Sequence, residues 1–334
     1  MIYTEPLKSY LQSPDFLSRL DLPADTSLEF TPLGQGEYNI NYVFIHPNTK
    51  QKLVLRINTG SQMHLADQIG YEFSALENLA PSGRTPKPLL CSREHNLLVM
   101  EWLPGMPLDY RQDMAIAAGI LADIHSVPVP EDCRLIRPAA PARAIYEECL
   151  QMVRHYYDWE DADPQVTALL QALVEEIGRL PLSEPSDAPS CMVNTELNSG
   201  NFLIDRQGIS HLIDWEKPLL SEPAQDLGHF LAPTTTFWKT DVILTPEEVK
   251  DFTAKYIAAV NGRMETASLA KRLPLFFTVT CLRGVTWCAM AYREYCQPGR
   301  EIRNEDTFRK LKAYLEPAFL QNLLDNYVRK DFLA

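Results

Sequence analysis

Between Ser27 and Gly60 the chain reads SLEFTPLGQGEYNINYVFIHPNTKQKLVLRINTG, short runs of alternating apolar and polar residues broken by a Gly-containing turn and by HPNTK. That pattern predicts an antiparallel meander of strands. The period then changes. In LADQIGYEFSALENLA the apolar residues Leu65, Ile69, Phe73, Leu76 and Leu79 recur at helical spacing, and Pro81-Ser82-Gly83 ends the run. KPLLCSREHNLLVMEWLPG returns to two strands around a polar turn and closes on Pro104-Gly105. With a short helical opening before Ser27, the first hundred residues predict a small sheet and one main packed helix.

From Asp109 onward the pattern is mostly helical. DYRQDMAIAAGILADIHSV, ARAIYEECLQMVRHYYDW and PQVTALLQALVEEIGRL are amphipathic candidates separated by Pro-containing breaks. NFLID and ISHLIDW meet across Arg206-Gln207-Gly208 as a hairpin within the helical part. Three helical stretches follow: TPEEVKDFTAKYIAAVNGR, LPLFFTVTCLRGVTWCAMAYREYC and EDTFRKLKAYLEPAFLQNLLDNYV. The expected class is α+β and bilobal: a small antiparallel-sheet lobe over residues 1–103 and a larger, mainly helical lobe over 104–334. A length of 334 residues suits two lobes, since one hydrophobic core rarely grows that far.

Composition narrows the function classes. Hydrophobic content of 46% with 22% charged residues is that of an ordinary globular protein. A net charge of -13 opposes binding to nucleic acid and favours a cationic small partner. The seven cysteines are scattered and contain no C-x-x-C pair, so neither a disulfide framework nor a zinc site is expected, and a cytoplasmic location fits. No stretch is expected to cross a membrane, and the N-terminus lacks the basic start and apolar core of a secretory signal. The histidines fall in no H-E-x-x-H spacing and the serines in no G-x-S-x-G elbow.

Five features carry candidate chemistry. In LGQGEYN, Gly34 and Gly36 allow backbone N–H groups to approach phosphates closely, with Asn39 where a third glycine of G-x-G-x-x-G would stand. By itself, Gly-x-Gly between strands is more often only a turn. Arg56 in LVLRI occupies the strand position of a phosphate-contacting lysine, and its fork can hold phosphate oxygens bidentately. Glu72, on the one helix of the first lobe, is placed to pair with it. In VNTELNSGNFLID, Glu196, Leu197 and Asn201 fall in the register of a kinase catalytic loop, base first and metal-binding Asn five residues on. In IDWE, Asp214 follows the hairpin where a metal-binding aspartate belongs, with Glu216 a candidate second carboxylate. His125, at a helix end, reads better as structural than as catalytic.

On these motifs the chain resembles the protein-kinase-like small-molecule kinases of the aminoglycoside phosphotransferase and choline kinase family. The resemblance runs through LGQGEYNINYVF, LVLRI, YEFSAL, LLVMEWLPGMPL, ILADIHS, ELNSGNFLID, LIDWE and DLGHFL to the late helix LRGVTWCAMAYREY. It implies transfer of the γ-phosphoryl group of ATP, with Mg²⁺, to a hydroxyl of a small molecule. Met100, Glu101 and Leu103 would lie in the segment that binds adenine through backbone groups. Gly34, Gly36 and Arg56 would contact phosphates, Glu72 would orient Arg56, Asn201 and Asp214 would hold magnesium, and Asp226 would brace the catalytic loop.

Where this family carries H-G-D, the chain carries Asn194-Thr195-Glu196. Glu and Asp have similar intrinsic basicity, with pKa values of about 4.3 and 3.9. Glu196 can therefore take the same proton, and the issue is its extra methylene. A displacement of that order can cost about 10²-fold in rate. Two functions follow from the same residues: a working kinase with Glu196 as base, or a nucleotide-binding pseudokinase with a regulatory or scaffolding role.

Overall fold

The computed structural model describes residues 4–36, 38–297 and 304–330. The chain forms two compact units. The first comprises Met1–Met106, Val129–Leu135 and Phe202–Pro218; the second comprises Pro107–Pro128, Ile136–Asn201 and Leu219–Ala334. The class is α+β, a small antiparallel sheet with one main helix and a larger helical part, as the periodicity predicts.

In the first unit, α1 (Glu5–Leu11) and α2 (Pro14–Ser18) precede the meander β1 (Thr31–Gln35), β2 (Asn39–Ile45) and β3 (Lys52–Asn58). After α3 (Gln68–Leu79) come β4 (Pro88–Ser92) and β5 (Leu97–Glu101), giving a five-stranded antiparallel sheet in the order β1-β2-β3-β5-β4. Side chains alternate across a strand, so one face of β3 and β5 carries Leu53, Leu55, Ile57, Leu97 and Val99, packed with Leu7, Leu11, Phe16 and Leu17 of the opening helices. The opposite face carries Val54, Arg56 and Met100. Both faces are covered, which is why LVLRI is almost continuously buried rather than alternately so.

The predicted hairpin lies in this first unit, but its second strand is only His211–Leu212 and not ISHLIDW. Asp214 adopts a left-handed backbone, φ 67°, which no strand ladder accommodates. Gly105, at φ 147°, sits so close to Leu203 that a Cβ would lie 2.7 Å from the Leu203 carbonyl carbon. Glycine is required there.

The second unit is built of α4 (Met114–His125), α5 (Pro141–Tyr157), α6 (Pro164–Gly178), α7 (Pro223–Leu231), α8 (Pro233–Lys239), α9 (Pro246–Val260), α10 (Leu269–Tyr295), α11 (Glu305–Tyr314) and α12 (Pro317–Leu323). Helix α9 starts with a capping box, Thr245 and Glu248 exchanging side-chain and backbone bonds around Pro246. The stretch EDTFRKLKAYLEPAFLQNLLDNYV is not one helix. Glu316, forced extended by the following proline, separates α11 from α12. Helix α10 packs against α5 and α7 and forms the core of the unit. It also corrects the expectation of no membrane-length apolar stretch, since part of it is apolar and long enough to span a bilayer. Of that window 67% is buried within the fold, as in the core helix of a globular unit.

Candidate active site

The first unit contains a cavity of about 340 Å³ with apolar walls from Leu33, Val54, Met100, Leu103 and Ile213 and a charged end made by Arg56, Glu72 and Asp214. Strand alternation aims Val54 and Arg56 into it. Arg56 is 7% exposed. Its Nη1 donates to Glu72 Oε1 at 2.6 Å and lies 3.4 Å from Asp214 Oδ1, while its Nε donates to Asn41 Oδ1 at 3.1 Å. Burial pulls the guanidinium pKa down, but Glu72, Asp214 and Glu216 outweigh it and hold the pKa above the ordinary value. The cavity therefore keeps a fixed positive charge. Burial pushes the Glu72 carboxyl up, with Arg56 offsetting part of that shift. Glu72 Oε2 is buried without a hydrogen-bond partner.

Gly34 lies in β1 opposite Asn41, next to a register shift, and Gly36 stands in the β1–β2 turn. A Cβ at Gly34 would meet nothing within 4 Å, and the Gly36 N–H donates to the Asn39 carbonyl at 2.8 Å. The Asn39 amide donates to Glu216 Oε2, and Asn58 donates to Asn39 Oδ1 at 3.1 Å. Glu216 is thus brought together with Asn39. Gln68 of α3 donates to the Glu216 carbonyl and Tyr71 to the Pro218 carbonyl, both at 2.6 Å, which fastens the segment after Asp214 to that helix. Met100, Glu101 and Leu103 line the cavity. The Glu101 and Trp102 amides already donate to the Lys87 and Lys52 carbonyls, so neither is available as a donor to a ligand.

Among the described residues no group of three or more His, Cys, Asp or Glu side chains is placed to hold a metal ion alone. Magnesium is usually bound by one or two carboxylates together with substrate phosphate oxygens and water. Asp214, its side chain one-third exposed at the charged end of the cavity, fits that mode.

The second unit holds the loop that follows the short ribbon of Cys191–Val193 with Leu219–Ser221. Asp226, fully buried in the first turn of α7, accepts the Asn194 N–H at 2.8 Å and the Thr195 N–H at 2.9 Å. His125 Nε2 lies 3.2 Å from the same carboxylate, and its Nδ1 is 2.9 Å from the Tyr256 hydroxyl. Both ring nitrogens of His125 are thus engaged within the fold. Thr195 has φ 72°, an outlying conformation for a β-branched residue. The Glu196 N–H donates to Asn194 Oδ1 at 3.1 Å, and Asn201 Nδ2 donates to the Glu196 carbonyl at 2.9 Å. The Glu196 carboxylate lies 3.6 Å from Arg283 Nη2.

Sequence patterning alone does not mark Thr195, Arg283 or Asn41. A signal exists for the first: Thr195 stands at the middle position of H-G-D, where a glycine takes a left-handed backbone without strain. For Arg283 and Asn41 no local signal exists, because their partners lie 87 and 15 residues away.

A family model described as the phosphotransferase enzyme family matches residues 29–265. Comparison with the curated proteins returned no match. Among solved structures, a Plasmodium vivax ethanolamine kinase is similar with a TM-score of 0.63 at 16% identity, over 96% of this chain and 91% of that one. A choline kinase from Streptococcus pneumoniae gives 0.59 at 16%, over 93% and 99%. An amicoumacin kinase, solved with AMP-PNP, Ca²⁺ and its ligand, gives 0.61 at 17%, over 97% and 94%.

Proposed function

Since the chain belongs to the phosphotransferase enzyme family, we propose that it transfers the γ-phosphoryl group of ATP to a hydroxyl of a small molecule, with magnesium. The observation that carries the reading is the buried Arg56–Glu72 pair, with the partly exposed Asp214 beside it, at one end of an apolar-walled cavity. An apolar slot suits a base, and a fixed cation beside a carboxylate suits phosphates and their metal. Leu33, Val54, Met100 and Leu103 would enclose the base. Arg56, oriented by Glu72 and Asn41, would hold phosphate oxygens, with the open space at Gly34 allowing close approach. Asp214 would hold magnesium, which when bound neutralises charge on the phosphates.

Glu196 would orient the acceptor hydroxyl and take its proton as the acceptor oxygen–phosphorus bond forms and the bond to the leaving ADP breaks. A working loop rather than a relic is supported by its construction. Thr195 is held in a conformation costing about 1–2 kcal/mol, with Asp226 accepting the Thr195 amide and that of Asn194 before it. The names of the similar structures, kinases of ethanolamine, choline and amicoumacin, support a small acceptor bearing a hydroxyl and an amine.

Thermal melting with and without ATP and Mg²⁺ tests the first half. Ligand at 100 times its Kd adds about 2.7 kcal/mol, and no shift at millimolar nucleotide would sink the nucleotide reading. Asp214→Asn keeps a residue type that tolerates φ 67°, so it should fold normally and lose the magnesium-dependent part of the shift. Transfer of labelled phosphate to amino alcohols, aminoglycosides and sugars tests the second half. Nucleotide binding with no transfer to any acceptor would favour the pseudokinase.

A further inference from the structure

Glu196 is longer than the aspartate of its family's loop, and the residues around it are arranged for that length. Arg283 projects from the middle of α10, which packs at the core of the second unit. Its Nε donates to Glu148 Oε2 of α5 at 3.1 Å, and its Nη2 lies 3.6 Å from Glu196 Oε1. The planar guanidinium spans two carboxylates with different nitrogens, which a lysine ammonium cannot do with the same geometry. The Arg283 side chain is only 20% exposed, and those of Glu196 and Glu148 29% and 41%, so the ion pairs are less screened than surface ones. Burial pulls the Arg283 pKa down, and Glu148 and Glu196 outweigh it, so the guanidinium stays charged.

We propose that Arg283, anchored by Glu148, is a positioning residue for Glu196, and that the three form one set matched to glutamate rather than aspartate at position 196. The proposal rests on the phosphotransferase reading for its catalytic meaning, but its geometry stands apart from it. Backbone on both sides of Glu196 is fixed: Asp226 holds the Asn194 and Thr195 amides, and Asn194 and Asn201 hold the amide and carbonyl of Glu196 itself. The loop cannot follow a shortened side chain. An aspartate carboxylate would end one carbon–carbon bond earlier, roughly 1.5 Å, and would leave Arg283. Restoring the family's aspartate should therefore impair this enzyme.

Kinetics on the best acceptor of the panel, with folding checked by melting, test this directly. Arg283→Met should lower kcat by about 10-fold or more while leaving the nucleotide KM unchanged, as a misplacement of about 1 Å would do. Arg283→Lys should recover part of the loss, and Glu148→Gln should act in the same direction with smaller effect. Glu196→Asp should be slower than wild type, and in the Arg283→Met background it should add less than it costs alone. Glu196→Asp at or above the wild-type rate, or losses that multiply, would overturn the proposal. Crystal structures of wild type and Arg283→Met decide independently of turnover: a displaced Glu196 carboxylate in the variant supports positioning, and the same rotamer in both refutes it. If wild type transfers phosphate to nothing, the phosphotransferase reading fails while the structures still decide this one.

Discussion

At the scale of single residues, the unusual features of the loop after Val193 concentrate at Thr195 and at its brace Asp226. A β-branched side chain at φ 72° costs about 1–2 kcal/mol relative to a relaxed backbone. Glycine removes that cost and adds about 0.5–1 kcal/mol of chain entropy. Thr195→Gly should thus raise stability by up to about 1.5 kcal/mol in urea unfolding, whereas Thr195→Val should not. A destabilised glycine variant would mean that the threonine makes contacts worth more than the strain. Asp226 is the opposite case. It accepts two backbone amides and contacts His125 with no solvent exposure, and each buried donor left unsatisfied costs about 1–3 kcal/mol. Asp226→Ala should lose on the order of 3 kcal/mol or more, and a loss below about 1 kcal/mol would show that the loop has another brace.

At the scale of elements, legibility tracks how local the cause is. The meander, α3 and most helices of the second unit follow from periods and punctuation that lie within each segment, and so does the capping box of α9. Arg56 and Glu72 were legible because a strand end and a helix face are positions that a short stretch defines. The break at Glu316 was legible in principle, because Pro317 announces it. The shortness of the strand His211–Leu212 was not, since the left-handed turn at Asp214 is held by partners from β3 and α3 rather than by neighbouring residues. Helix-to-helix contacts are equally non-local. A Cβ at Gly228 of α7 would come within 2.7 Å of Phe276 backbone in α10, so Gly228→Ala should cost about 1–3 kcal/mol by forcing the helices apart. Beside it, Arg272 of α10 grips Glu222 at the start of α7 through two bonds of 2.6 and 2.8 Å, both side chains buried. Glu222→Leu alone should cost about 3–5 kcal/mol by stranding the guanidinium, while the double change to Leu and Met should recover most of the loss. Equal stability of the single and double variants in a denaturant series would refute that account.

At the scale of the molecule, each unit gathers segments that sequence order keeps apart. Val129–Leu135 and Phe202–Pro218 join the first unit because Asn78 reaches Cys133, Arg84 pairs with the backbone near Ser210, and α3 holds the Glu216 and Pro218 carbonyls. No run of residues states such partnerships, so they are invisible to periodicity. Cysteines make the units separately observable. Cys149, Cys191, Cys281 and Cys288 are buried in the second unit, and burial pushes the Cys149 thiol up to about 12 and the other three well above their ordinary value. At pH 8 they are protonated and inert. Cys91 and Cys133, half-buried, belong to the first unit, and Cys296 is exposed. Alkylation at pH 8 should therefore modify Cys296 first and spare the four buried thiols until the second unit unfolds. Since those four belong to one compact unit, they should become reactive in a single step along a urea series, with staggered midpoints as the result that denies it a cooperative core. The cavity is lined entirely by residues of the first unit. Saturating ATP and Mg²⁺ should accordingly raise the urea concentration at which Cys91 and Cys133 lose their remaining protection, and Asp214→Asn should cancel the magnesium-dependent part of that rise.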